Sequence, residues 1–190
     1  MPLALLALTI GAFAIGTTEF VIVGLVPDIA EQLAISLPSA GLLVSIYALG
    51  VAIGAPVLTA LTGRMPRKQL LLALMALFTA GNLLAWQAPG YETLVLARLL
   101  TGLAHGVFFS IGSTIATSLV AKEKAASAIA MMFGGLTVAL VTGVPLGTFI
   151  GEHFGWRETF LAVSILGVIA LMSSLILVPG NIPGRVSAGL

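Results

Sequence analysis

Apolar and polar positions along this chain do not alternate with a short period; they come in long blocks. Six apolar runs lie at 3–26, 39–61, 70–87, 92–117, 125–150 and 158–178. Each reaches or approaches the length of about 20 residues that an α-helix needs to cross a hydrocarbon core. Short clusters of charge and turn residues separate them: "PDIAEQLAISLPS", in which Pro27 is expected to end the first helix, then "TGRMPRK", "QAPGYE", "VAKEK" and "GEHFGWRE". No segment carries the period-two repeat of a barrel strand, so the pattern predicts an all-α membrane protein with six transmembrane helices. From Pro179 the tail "PGNIPGRVSAGL" has the Pro/Gly content of a linker. The expected division is a six-helix domain over 1–178 and the start of a linker over 179–190.

Composition leads to the same class. Hydrophobic residues make up 59% of the chain and charged residues 8%, with a mean hydropathy of +1.17. A water-solvated domain carries about 25% charged residues, so this chain lacks the polar surface to be one. The net charge of +1 matters less than where the charges lie. The first, third and fifth loops hold one basic residue, Arg157; the even loops and the tail hold Arg64, Arg67, Lys68, Lys122, Lys124 and Arg185. The positive-inside bias then puts the even loops and both termini in the cytoplasm. Trp86, Tyr91 and Trp156 fall at the outer helix ends, where amphipathic rings prefer to sit. There is no cysteine, which excludes disulfides and thiolate metal sites. The first run is too long for a signal-peptide core and has no basic leader, so it is expected to be retained as a span.

Two charges interrupt the apolar runs. Glu19 lies eight residues before Pro27, about 12 Å from the outer surface, and Arg98 lies six past Glu92, about 9 Å deep. Each alone costs about 2.5–3.5 kcal/mol on insertion scales, so the two are expected to face each other or water. His105 follows Arg98 by seven residues on the same helical face, about 10 Å deeper. Tyr47 lies about 12 Å below the outer end of the second helix. One reading is a polar cavity, with Glu19 and His105 exchanging protons and Arg98 as counter-charge or anion anchor. The other is a static ion pair between the first and fourth helices, a neutral hydrogen-bonded His105 and a packing role for Tyr47. Asn82 and Phe109 join Tyr47 as candidate cavity residues, suited alike to sugars, nucleosides or amphiphilic drugs.

Small residues form stripes. Gly102 and Gly106 in the fourth run, and Gly143, Gly147 and Gly151 in the fifth, are spaced by four, which lets helix backbones approach closely. "GAP" at Gly54–Pro56 and "GVP" at Gly143–Pro145 recur three spans apart, each followed at the same interval by a basic residue, Lys68 or Arg157. That spacing predicts a 3+3 inverted repeat. The stripes are either plain packing surfaces or a rocking seam along a pathway, with Pro145 permitting a bend.

Together these motifs resemble the amino-terminal half of a major facilitator superfamily transporter, of the drug:proton antiporter family and its arabinose- or sugar-efflux-type bacterial inner-membrane permeases. The resemblance rests on "TTEFVIVGLVPDIA", "GRMPRK", "LxxxRxxxGxxxG" from Leu94 to Gly106, "GVPLGTFIG" and "GWRETF", and covers residues 1 to about 180. It implies that Arg98 is linked to proton transfer. It also implies that Gly143, Pro145, Gly147 and Gly151 form the antiporter motif, and that Arg64, Arg67 and Lys68 are gating-loop cations. The sequence departs from the family pattern at Gly63, where an aspartate is usual, at Pro66, where a glycine is usual, and at Val144 between glycine and proline. Family members have two six-helix halves, so the resemblance implies a partner: a carboxyl-terminal half or a second copy. A lone half is expected to be poorly active and prone to dimerise.

The function expected is proton-coupled efflux of small organic solutes such as sugars or drugs, with protons as coupling ion, no other cofactor and no metal. The lipid bilayer is the expected surroundings and nucleic acid is not an expected partner. The alternative is a non-transporting half-size module that assembles with other membrane proteins. An enzyme is not expected: no HExxH, Ser/His/Asp set or phosphate loop occurs, and the two histidines are 48 residues apart.

Overall fold

The computed structural model describes residues 1–182. Its six helices long and apolar enough to cross a membrane are α1 (Leu3–Gln32), α2 (Leu37–Leu61), α3 (Arg67–Trp86), α4 (Tyr91–Ser118), α5 (Lys122–Phe154) and α6 (Trp156–Leu177). Arg185, and the part of the expected linker from 183 on, lie outside the described residues.

The first helix does not stop at Pro27. It continues to Gln32, because a proline near a helix end removes only one ladder bond and this one is exposed, where a slight bend is tolerated. The stop is a Schellman closure instead. Ile35 donates its N–H to the Ala30 carbonyl at 3.0 Å and Ala34 to that of Glu31 at 3.2 Å, with Ala34 at φ 53°. An alanine in this left-handed position carries a steric cost that glycine would not.

Two helices widen by one residue. In α2 the Thr59 N–H reaches back five residues to the Gly54 carbonyl, and in α5 the Val144 N–H reaches Ala139. These π turns, Gly54–Leu58 and Ala139–Gly143, sit at or next to Pro56 and Pro145. A proline has no N–H to give the carbonyl four residues back, and the widened turn accommodates the mismatch.

The turns occupy corresponding places in a repeated packing scheme. Helix α1 packs on α5 and α6, α4 packs on α2 and α3, and α3 packs on α6. Exchanging helices 1–3 with helices 4–6 maps this scheme onto itself, as a 3+3 inverted repeat requires. Glycines make the two related seams. A Cβ at Gly50 would lie 2.6 Å from the Leu99 carbonyl oxygen, and one at Gly106 2.6 Å from that of Val51. Across the other seam, Gly143, Gly147 and Gly151 press on Thr17, Val21 and Leu25 of α1. In lipid, such close backbone approach draws helices together by dispersion rather than by apolar burial.

The interior divides into two apolar zones. One gathers Leu8, Ile15, Met75, Phe78, Phe108 and Ile111; the other gathers Ile22, Leu25, Leu43, Leu94, Trp156 and Phe160. Between them, at a common level, lie the buried polar residues Thr17, Thr18, Asn82, Arg98 and Thr101. Trp156 opens α6, at a helix end as expected, but its ring is 0% exposed and packs inside the bundle rather than toward headgroups. Its indole N–H donates to Gln32 Oε1 at 3.0 Å, which ties the start of α6 to the end of α1.

Two substitutions test the packing by thermal unfolding in detergent. Gly106→Ala forces backbone apart and is expected to cost about 1–3 kcal/mol, whereas Gly134→Ala, with nothing within 4 Å, is expected to be neutral or slightly stabilising. Ala34→Gly is expected to stabilise by up to about 1 kcal/mol, because it removes the left-handed strain at the end of α1.

Candidate functional site

The polar level begins with Thr18, on the face of α1 turned to α3. Its hydroxyl donates to Asn82 Oδ1 at 2.8 Å, and the Asn82 amide donates to the Phe78 carbonyl at 2.9 Å. Both residues are almost fully buried, so each hydrogen bond replaces a desolvated polar group that lipid could not satisfy. The Thr18 carbonyl also accepts from Arg98 Nη1 at 2.9 Å, and Arg98 Nε donates to the Leu43 carbonyl at 3.3 Å. The guanidinium carbon stands 4.3 Å from the centroid of the Tyr47 ring. Arg98 thereby joins α1, α2 and α4 while only 1% exposed, and its Nη2 has no partner among the described residues.

Glu19 does not pair with Arg98, so the static ion pair, one of the two readings, is not formed. The Glu19 carboxylate lies 3.6 Å from His105 Nδ1 instead. The reason is the direction in which helical side chains lean. Gly11 lies against Phe108 and Thr18 against Arg98, so α1 and α4 run antiparallel. Every Cα–Cβ bond tilts toward its own helix N-terminus. Glu19 therefore leans away from the level of Arg98 toward that of His105, and His105 leans back to meet it. Arg98, on the same helix as His105, leans the same way, which carries it away from the Glu19 carboxylate to carbonyls.

His105 Nδ1 is shared. The Tyr47 hydroxyl is 2.9 Å from it, a hydrogen-bond distance, while the carboxylate at 3.6 Å is beyond one. Four of the six cavity candidates, Glu19, Tyr47, Arg98 and His105, thus form one chain of contacts, and Asn82 joins it through Thr18. They differ in access. Glu19 is 28% and His105 12% exposed, whereas Tyr47, Asn82 and Arg98 are sealed inside the bundle. From His105 the Phe109 ring follows at 4.9 Å, and Phe133 of α5 at a further 4.9 Å. Sequence reasoning missed Thr18 and Phe133. A threonine in an apolar helix ordinarily bonds its own backbone, and a lone phenylalanine in a span carries no signal of its own.

The remaining candidates are dispersed. Arg64 is exposed, Arg67 is buried at the start of α3 with Nε and Nη1 unpartnered among the described residues, and Lys68 Nζ donates to the Leu175 carbonyl at 2.8 Å. A cation on the last turn of α6 satisfies a carbonyl that the helix leaves free. Gly143, Gly147 and Gly151 face α1, with the Thr159 hydroxyl donating to the Gly147 carbonyl at 2.7 Å, while Pro145 is exposed. Among the described residues no group of three His, Asp or Glu is placed to hold a metal ion.

The family model described as Major Facilitator Superfamily matches residues 8–188. The chain is 56% identical to the uncharacterized MFS-type transporter YtbD of Bacillus subtilis, over 94% of this chain and 45% of the relative. It is 54% identical to the inner membrane transport protein YdhP of Escherichia coli, over 89% and 43%. A chloramphenicol resistance protein of Streptomyces lividans is 38% identical over 99% of this chain and 47% of its own length. The chain therefore spans less than half the length of these relatives. Among solved structures, a peptide transporter in complex with alafosfalin superposes with a TM-score of 0.83 at 13% identity, over 97% of this chain and 41% of that one. That likeness bears on the fold alone.

The Thr18–Asn82 bond is open to a double-mutant cycle. With Thr18→Val and Asn82→Ala, reversible unfolding in detergent is expected to give a coupling of about 0.6 kcal/mol, up to about 1.7.

Proposed function

We propose a function from one premise: the chain belongs to the Major Facilitator Superfamily. It is a transporter module rather than an enzyme, and it acts in proton-coupled efflux of small organic solutes. The observation that carries this reading is the shared Nδ1 of His105. In the tautomer with its proton on Nε2, Nδ1 accepts from the Tyr47 hydroxyl and the carboxyl of Glu19 stands apart. When the Glu19 carboxyl passes its proton to Nδ1, a carboxylate and an imidazolium remain. Nδ1–H then donates to the carboxylate, and Tyr47 loses its acceptor. One proton transfer so exchanges an α2–α4 link for an α1–α4 link. A bond that switches between helices is what coupling needs, since a proton shifts a conformational equilibrium only by binding one state better. Arg98, held among carbonyls, supplies a fixed positive field beside Tyr47.

The α2–α4 glycine seam and the paired π turns support a rocking motion, because backbone lies against backbone there and α2 can slide on α4 with few interlocking side chains. The direction, efflux, draws on the relative named for chloramphenicol resistance. The basic residues Arg64, Arg67, Lys68, Lys122 and Lys124 of the even loops support an orientation in a bacterial inner membrane with those loops and both termini on the cytoplasmic side. A second six-helix unit, a carboxyl-terminal half or another copy, completes the pathway opposite Glu19.

Proteoliposomes with an imposed pH gradient test this, using the chain alone and the chain joined to the remaining half of a relative. Glu19→Gln is expected to abolish pH-driven solute flux while leaving helix content unchanged. Undiminished flux in that variant rules out a proton role for Glu19. Absence of any solute-linked proton movement in both proteins rules out the transporter reading.

A further inference from the structure

We infer that α3 and α6 form a pair pinned at one end and releasable at the other, with Arg157 as the pin and Lys68 as the catch. This goes beyond the transport reading and does not depend on it. The two cations are counterparts in the internal repeat: Lys68 follows Pro56, and Arg157 follows Pro145, by the same twelve residues. Each is the second residue of its own helix and donates to a carbonyl at the far end of the other. Lys68 Nζ reaches the Leu175 carbonyl at 2.8 Å, and Arg157 Nη2 reaches that of Ala88, just past the end of α3, at 2.8 Å. The helices therefore run antiparallel, and one bond closes each end of the pair. A helix leaves its last carbonyls without an internal partner, and its dipole favours a cation beside them.

Between the ends, Gly167 of α6 lies against α3: a Cβ there would come within 3.1 Å of the Phe78 ring and would press on the Thr79 hydroxyl. From this crossing to the Lys68 end the buried residues of the two helices are mostly apolar, Leu70, Leu71, Leu74 and Ala170 among them. In water, burial alone would hold such a surface closed. Lipid tails are as apolar as leucine, so in a bilayer the terminal bonds take a larger share of that task.

The two bonds differ in what backs them. Ala88 is 1% exposed, so its carbonyl has no water to turn to, and losing Arg157 leaves it unpaired. The planar guanidinium also lies 4.3 Å over the Trp156 ring, and that buried indole is itself tied to Gln32. The pin thus joins α1, α3 and α6, and every contact in it is made within this chain. Lys68 makes one bond from a flexible stem, and among the described residues neither a ring nor an acid backs it. A strongly hydrated ammonium exchanges a carbonyl for water readily. The start of α3 can part from the end of α6 while their other ends stay joined. The π turn Gly54–Leu58, one turn before the loop that leads into α3, takes up the movement.

Two pairs of spin labels on the full chain in lipid nanodiscs test this, and the absence of native cysteine leaves the engineered thiols as the only labelled sites. Gln69→Cys with Ile176→Cys reports the Lys68 end, and Gln87→Cys with Glu158→Cys the Arg157 end. Pulsed dipolar spectroscopy is expected to show one narrow distance at the Arg157 end and an added longer population at the Lys68 end. Lys68→Met keeps the stem and drops the donor; it is expected to raise the ratio of longer to shorter distances about threefold to tenfold, at the Lys68 end only. Lys68→Arg is expected to lower it. Arg157→Lys keeps the charge without the fork or the stacking, and is expected to give the Arg157 end a longer population of its own. Arg157→Ala is expected to do so more strongly; should it fail to fold by circular dichroism, Arg157→Lys decides. A single narrow distance at the Lys68 end that persists in Lys68→Met overturns the proposal. So does a longer population at the Arg157 end of the parent chain, an Arg157→Lys variant with that end unchanged, or equal broadening of both ends by either variant.

Discussion

The arrangement turns on one buried guanidinium. Arg98 sits where water is scarce, so its donors must find acceptors inside the protein. It finds them in the main chain of two other helices, at Thr18 and Leu43, and lays its charge over the Tyr47 ring. Backbone carbonyls move only when their helix moves. Arg98 is therefore a fixed strut among α1, α2 and α4, and the groups that can change partner, Glu19, His105 and Tyr47, are arranged around it.

That division between a fixed and an exchangeable part is supported by the two seams. Gly50, Gly54, Gly102 and Gly106 bring α2 and α4 into backbone contact, whereas Gly143, Gly147 and Gly151 of α5 receive the Thr17, Val21 and Leu25 side chains of α1. Smooth surfaces set the helices close enough for Arg98 to span three of them. Between α2 and α4 that smoothness leaves few interlocked side chains to resist sliding. The π turns at Gly54–Leu58 and Ala139–Gly143 fall in the two helices most exposed in this unit, at places related by the internal repeat. A local change at His105 thus lies beside helices already built to bend.

The polar layer also explains why two apolar zones flank it. Hydroxyl and amide side chains in lipid-embedded helices are tolerated when they bond one another or the backbone. Thr18, Asn82 and Thr101 do so at one level, and aliphatic packing resumes on either side. Only where the layer reaches the open face, at Glu19 and His105, does it meet something other than protein.

Six spans, their order and the inverted repeat were legible in the sequence, because hydrocarbon thickness sets helix length and loop charge is local. So were Glu19, Arg98, His105, Tyr47 and Asn82, since a polar group in an apolar run is conspicuous wherever it points. Partnership was not legible. Depth along the chain put Glu19 level with Arg98, but the tilt of side chains on antiparallel helices sent the carboxylate to His105 and the guanidinium to carbonyls. Nor did a proline's position reveal that Pro27 lies within α1, or a tryptophan's that Trp156 is buried against Gln32. Length, charge and polarity belong to each segment alone and can be read from it; which groups touch depends on how helices rotate and lean against one another, and only the packed bundle decides that.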